Sequence, residues 1–204
     1  MAAWYLLGQD QGYPSPGSGM PIDLIAVHEI TVGKSPSSKP ILLQSAIEGH
    51  VLVKNVNNTL PLKSPQLLSL FGYDGKAPDQ NDVSSGTWVP WTLGFESANI
   101  LEAEGGFLGE APIIPASQIA INGTIISGGG SGANSPAYIN APFDALQQQA
   151  YEDGTALFWD FINTDPVVEG ASDACIVFIN AFASEGIDRV GLHDDYSDAL
   201  VNNV

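Results

Sequence analysis

The chain has 204 residues, 44% of them hydrophobic, which is enough for one sizeable domain or one domain with an appended piece. Twenty-three acidic residues against six basic ones give a net charge of −17. Such a surface repels polyphosphate and anionic lipid, which counts against nucleic acid and membrane partners but leaves a neutral ligand such as a sugar unpenalised.

Cys175 is the sole cysteine, so no disulfide can form within the chain; in mid-strand it reads as a small buried hydrophobe. No apolar run approaches bilayer length. Met1–Leu7 lacks the basic start of a signal peptide, so any signal of a secreted parent is expected upstream.

In chain order, Met1–Leu7 has the content for two helical turns that Gly8 ends. Residues 9–38 hold turn formers without sustained periodicity and read as an extended linker. Ser38-Lys39-Pro40 is a helix start, and Leu43, Ala46, Ile47 and Val51 share one face, which predicts a helix from Ile41 to about Val51. The stretch Val51–Leu62 reads as a strand, an Asn-rich turn and a proline-interrupted edge strand. Lys54 within it reads as a surface lysine. Leu67–Asp74 predicts a second, buried strand ending in a glycine turn. Lys76 to about Ser117 is irregular and long, a pattern of functional or disordered loops. Trp88 and Trp91 in that loop offer either a sugar-stacking platform or anchors that pin the loop to its domain.

Residues 119–126 alternate weakly and contain the N-glycosylation sequon Asn122-Gly123-Thr124; Asn57-Asn58-Thr59 is another. Asn122 is expected at an exposed turn, as glycosylation requires. Gly128–Gly132 invites a phosphate loop, but no Lys-Ser/Thr follows and Pro136 precedes any helix. Pro142 opens a helix through about Tyr151 with Phe143, Leu146 and Ala150 on one face. Ala156–Phe161 predicts a third strand.

Asp173–Ala181 is a continuous apolar, β-branched run, the pattern of a strand buried on both faces of a parallel sheet. Past its carboxyl end lies Glu185, directly before Gly186, where open α/β sheets bind ligands. From position alone, an ordinary loop glutamate is the competing reading. Asp194 or Asp195 can cap a final helix whose first turn is acidic. His193 with these two aspartates is a poor metal donor set, and helix capping explains the acids, so no metal is expected there; no cofactor is expected either. The strand–helix alternation predicts an α/β sandwich with a mostly parallel sheet.

Five segments, in order, resemble glycoside hydrolase family three, the β-glucosidases. Met1-Ala2-Ala3-Trp4-Tyr5 with Gly8-Gln9-Asp10 is similar to the M-A-A-W-Y-x-x-G-Q-D run that leaves the family's barrel domain. Lys54, Asn55, Leu60, Pro61 and Leu62 match L-L-K-N-x-x-x-L-P-L, whose role here reads as closing a first hairpin. The turn at Gly72 resembles I-G-P-D. Gly130-Ser131-Gly132, Pro136, Pro142, Ala145 and Leu146 follow the family's glycine segment. Val177–Ala181 with Glu185-Gly186 is similar to V-F-V-N-A-D-S-G-E-G, with Phe182 in place of the aspartate and Ser184 directly before the glutamate.

The resemblance implies that residues 1–8 end a barrel domain, 9–38 link, and 39–204 form a sandwich domain truncated at its C-terminal end. It implies retaining hydrolysis of terminal non-reducing β-D-glucosyl residues, as in cello-oligosaccharides, with Glu185 as general acid/base. The nucleophile belongs to an S-D-W motif in the barrel; Ser172-Asp173 and Ser197-Asp198 lack the tryptophan, so this chain does not carry it. A secreted, glycosylated fungal enzyme is implied, and the chain alone is expected to hydrolyse nothing. Two other readings stand beside it: a non-catalytic module that binds sugar or protein, and a nucleotide-binding α/β domain whose glycine loop lacks its lysine.

Overall fold

The computed structural model describes Leu6 and residues 35–79, 119–125, 139–181, 189 and 191–204. Those up to Lys63 belong to one compact unit and those from Ser64 onward to a second. The expectations for residues 9–34 of the linker, for Trp88 and Trp91 and for Gly128–Gly132 lie outside the described residues. So do those for the barrel exit, apart from a helical Leu6.

In the first unit, helix α1 spans Ser38–Gly49, beginning slightly ahead of the predicted start. Its isoleucines and leucines are exposed in this chain. The motif that follows forms no strand and closes no hairpin, contrary to the sequence reading. A single 3₁₀ turn, Val56–Asn58, sits there, with Asn57 and Asn58 both at φ of 55°, a conformation that asparagine tolerates better than most residues. The Asn55 side chain explains the difference. Its Nδ2 donates to the Leu60 carbonyl at 2.9 Å and its Oδ1 accepts from the Leu60 N–H at 3.0 Å, so one side chain takes the place of a strand partner. The apolar runs and the Asn-rich turn between them carry no sign of such a bond.

The second unit is α/β. Strand β1 (Leu67–Phe71) lies between β2 (Ala156–Asp160) and β3 (Ala174–Val177), all parallel, in the order β2-β1-β3. Helix α2 (Pro142–Asp153) precedes β2, and helix α3 (Asp195–Asn203) follows β3. As a central strand flanked on both edges, β1 carries the core: Leu70 and Phe71 are fully buried, and Leu68 nearly so. Helix α2 starts with Pro142 at its first position, and the Ala141 N–H donates to the Asp144 carboxylate at 3.0 Å. It packs through Phe143, whose ring lies 4.9 Å from that of Trp159 and 5.0 Å from that of Phe161. On β1 itself, Phe71 meets Phe158 edge-on at 6.4 Å.

Register at the amino end of the sheet is fixed by Asp173. Its Oδ2 accepts from the N–H groups of Gln66 (2.6 Å) and Leu67 (3.1 Å). These bonds hold its carboxyl below the ordinary value. Two predictions for β3 are corrected here. It is half-buried rather than covered on both faces, because it lies at an edge among the described strands. Cys175 is accordingly an exposed free thiol, not a core residue.

Candidate functional site

The carboxyl ends of β1 and β3 meet in a polar cluster, on the side of a parallel sheet where ligand crevices form. Just after β1 the chain turns at Gly72 with φ of 98°, and a Cβ there would lie 2.1 Å from the Phe178 carbonyl oxygen, so only glycine fits. That turn delivers Tyr73 and Asp74 against the end of β3.

Asn180 is the hub. Its Nδ2 donates to Asp74 Oδ1 and to the Ala120 carbonyl, both at 2.8 Å, while its Oδ1 accepts from the Ala120 N–H at 3.0 Å. Asp74 Oδ1 also accepts from the Ile125 N–H at 3.1 Å, and its carbonyl accepts from Thr124 Oγ1 at 2.6 Å. Three segments far apart in sequence, 73–76, 119–125 and the end of β3, are thereby tied into one unit. Burial raises the Asp74 carboxyl above its ordinary value, against the bonds from Asn180 and Ile125. Tyr73 is 2% exposed; its hydroxyl sits 2.8 Å from Ser197 Oγ and donates to the Asn180 carbonyl at 3.3 Å. Burial raises its phenol as well. Its ring packs edge-on against Tyr196 of α3 at 5.5 Å.

Helix α3 is capped as the sequence suggested, and by Asp194 rather than Asp195: its carboxylate accepts from the Ser197 N–H at 2.7 Å. The cap sets the first turn, which presents Ser197 to Tyr73 and Tyr196 to the Ile162 carbonyl at 2.9 Å. His193 lies 3.4 Å from Asp198, and no group of three potential metal ligands occurs among the described residues.

Beside the cluster opens a cleft of about 590 Å³ that includes Tyr73, Lys76, Asp79, Asn122, Phe161 and Tyr196 among its lining. Asp160, at the end of β2 nearby, has burial raising its carboxyl, but bonds from the Asn163 side chain and the Ile162 and Asn163 N–H groups outweigh it and lower the value.

Glu185 lies outside the described residues, in the stretch that leaves the Asn180 end of β3. On the far side of that stretch Arg189 is half-buried, its Nε without a hydrogen-bond partner. Of the two sequon asparagines, Asn122 and Asn57 are both exposed in turns. Sequence reasoning passed over Asp74, Asn180 and Ser197 as site residues. Polar residues at the carboxyl ends of buried strands were the available signal for the first two; nothing local marks the third.

Residues 50–204 match the glycosyl hydrolase family 3 C-terminal domain. The chain belongs to that family. Over its full length it is 53% identical to "Probable beta-glucosidase M" of Aspergillus flavus, covering 23% of that protein. It is 47% identical to "Beta-glucosidase cel3A" of Pyricularia oryzae, again over the full chain and 26% of the relative. The chain thus spans about a quarter of the length of these relatives. Among solved structures it is similar to the beta-D-glucoside glucohydrolase of Trichoderma reesei, with a TM-score of 0.55 and 27% identity, over 99% of this chain and 25% of that one. It is likewise similar to a glycoside hydrolase family 3 beta-glucosidase of Neurospora crassa, with a TM-score of 0.58 and 26% identity, over 87% of this chain and 20% of that one. The α/β fold and parallel sheet of this family 3 domain agree with those neighbours.

Proposed function

We propose that this chain is the segment of a retaining β-glucosidase that supplies the general acid/base, Glu185, to a nucleophile carried elsewhere in the parent enzyme. The supporting observation is full-length similarity, at about half identity, to proteins named as beta-glucosidases. In sequence, Glu185 comes after β3 and after Asn180, whose side chain is bonded to Asp74.

In the first step a carboxylate of the partner domain attacks the anomeric carbon, and Glu185 gives its proton to the departing glycosidic oxygen. In the second, the ionised Glu185 takes a proton from water as that water displaces the enzyme carboxylate from the sugar. The two carboxyl groups must then stand about 5–5.5 Å apart, so the chain can act only when seated against its partner domain. The substrate class is a terminal non-reducing β-D-glucosyl residue, as in cello-oligosaccharides. The parent is secreted and carries glycans on Asn122 and Asn57.

Replacing Glu185 with Ala in the parent enzyme tests this. Glucosides with poor leaving groups should lose about 10²–10⁴-fold in rate, because they need the proton in the transition state. Activated aryl glucosides should lose less in the glycosylation step, and azide should restore turnover by replacing the activated water. Uniform loss across leaving groups without azide rescue rules out the acid/base role, and glycan binding that survives the change would point to a non-catalytic binding module. The purified 204-residue chain should show no turnover on an aryl β-glucoside; turnover near the parent's would mean the nucleophile lies within it.

A further inference from the structure

Asn122 is more than an exposed asparagine in a sequon: it is one of the residues that line the cleft beside the Asp74–Asn180 cluster. The turn that carries it is held rigidly. Gly123, with φ of 143°, approaches so closely that a Cβ would lie 2.5 Å from the Pro78 nitrogen, and the Thr124 N–H donates to the Lys76 carbonyl at 2.8 Å. Pro78 is itself part of the cleft wall. Anything attached to Asn122 therefore starts from a fixed point at the mouth of this cavity.

The lining has the chemistry of a seat for a neutral, amphipathic ring. Phe161, Tyr196 and the exposed side chains of Ile121 and Ile162 offer apolar surface. Lys76 and Asp79, paired at 2.5 Å, offer donors and an acceptor while cancelling in charge. A sugar sets its C–H face on the first and its hydroxyl or amide groups on the second. An anion would meet a chain with a net charge of −17. The volume, about 590 Å³, lies within the roughly 300–1,000 Å³ usual for small-ligand clefts.

We propose that this cleft seats the first N-acetylglucosamine units of a glycan carried on Asn122, an inference that rests on the reading of the parent as a secreted glycoprotein. A tethered sugar suits the site better than a free one. Among the described residues the cleft has one salt-linked pair, and a tether supplies an effective concentration in the millimolar range that fills even a weak site. In the folded protein the Thr124 hydroxyl donates to the Asp74 carbonyl at 2.6 Å, which ties the sequon to the cluster beside the cleft. The consequence is that residues 73–79, residues 119–125 and the loop after β2 are braced by carbohydrate.

The test uses the secreted parent enzyme. Glycopeptide mass spectrometry reads occupancy at Asn122, and an endoglycosidase that cuts between the two core N-acetylglucosamines reads access. The expected result is an occupied Asn122 trimmed at least about tenfold more slowly in the native enzyme than after denaturation, as a modest intramolecular association would give. In Lys76→Met/Asp79→Asn and, separately, in Ile162→Ala, whose side chain is exposed and makes no bond to its neighbours' polar groups, trimming should accelerate. An unmodified Asn122 overturns both the glycosylation and the seat. An occupied Asn122 that is trimmed as fast natively as when denatured overturns the seat alone. Slow trimming that neither variant changes overturns the assignment to this cleft.

Discussion

Asn180→Ala removes the hub of the polar cluster, and its cost can be worked bond by bond. Three hydrogen bonds disappear: Nδ2 to Asp74, Nδ2 to the Ala120 carbonyl, and the Ala120 N–H to Oδ1. A neutral bond is worth about 1 kcal/mol net and one to a carboxylate about 1.5–3, the lower end applying because Asp74 keeps some contact with water. Ala120 is completely buried, so neither of its freed backbone groups can turn to solvent. The expected loss is about 3–4 kcal/mol, placed by equilibrium urea unfolding of the parent enzyme with a probe in this domain. Because Asn180 precedes the stretch bearing Glu185, kcat should fall more than KM rises on an aryl glucoside. A loss below about 1 kcal/mol, the value of a single ordinary bond, would refute the reasoning that Asn180 ties the three segments together.

Asp74→Asn keeps an acceptor for Asn180 and Ile125 while removing the charge. Because burial raises the wild-type carboxyl in the folded state, its favourable contribution is complete below the ordinary carboxylate range and is lost as pH rises through the raised value. The thermal midpoint of the variant should match wild type at low pH and exceed it increasingly towards neutrality; a difference independent of pH would contradict this. Asp194→Ala removes the cap of α3 and should cost about 1 kcal/mol by urea unfolding, whereas Asp195→Ala, one position on, should cost clearly less.

Local signals carried most of the fold. The largely apolar run of Leu67–Phe71 marked a buried strand, Pro142 marked the start of α2, and the acids before Tyr196 marked the start of α3. That this strand is the central one is a matter of pairing. Where the reading failed, the cause was a contact that leaves no local pattern. An apolar run, an Asn-rich turn and a proline-interrupted run around Lys54 looked like a hairpin, but the outcome was decided by the Asn55 side chain reaching Leu60. Cys175 was judged by its neighbours in sequence, whereas exposure depends on what lies beyond an edge strand. The site was legible in the same uneven way. Glu185 stood out by its place after a strand and by resemblance. The pairing of Asp74 with Asn180 spans 106 residues and is invisible to any window on the chain.

The placement of β1 at the centre of the sheet also sets a timetable. It is the earliest of the three strands to be made, yet both of its edges wait for later segments. The bonds that tie it to its neighbours span 90 residues, from Thr155 to the Pro65 carbonyl, and 106 residues, from Leu67 to Asp173. At synthesis rates of about 5–20 residues per second, the strand emerges and stays unpaired for roughly 5–20 s before its last partner appears. During that interval the strand that will carry the core has two open edges, a state prone to pairing with another nascent chain. A host that overproduces this domain should therefore meet its limit in chaperone capacity during translation, well before the stability of the finished sheet becomes limiting.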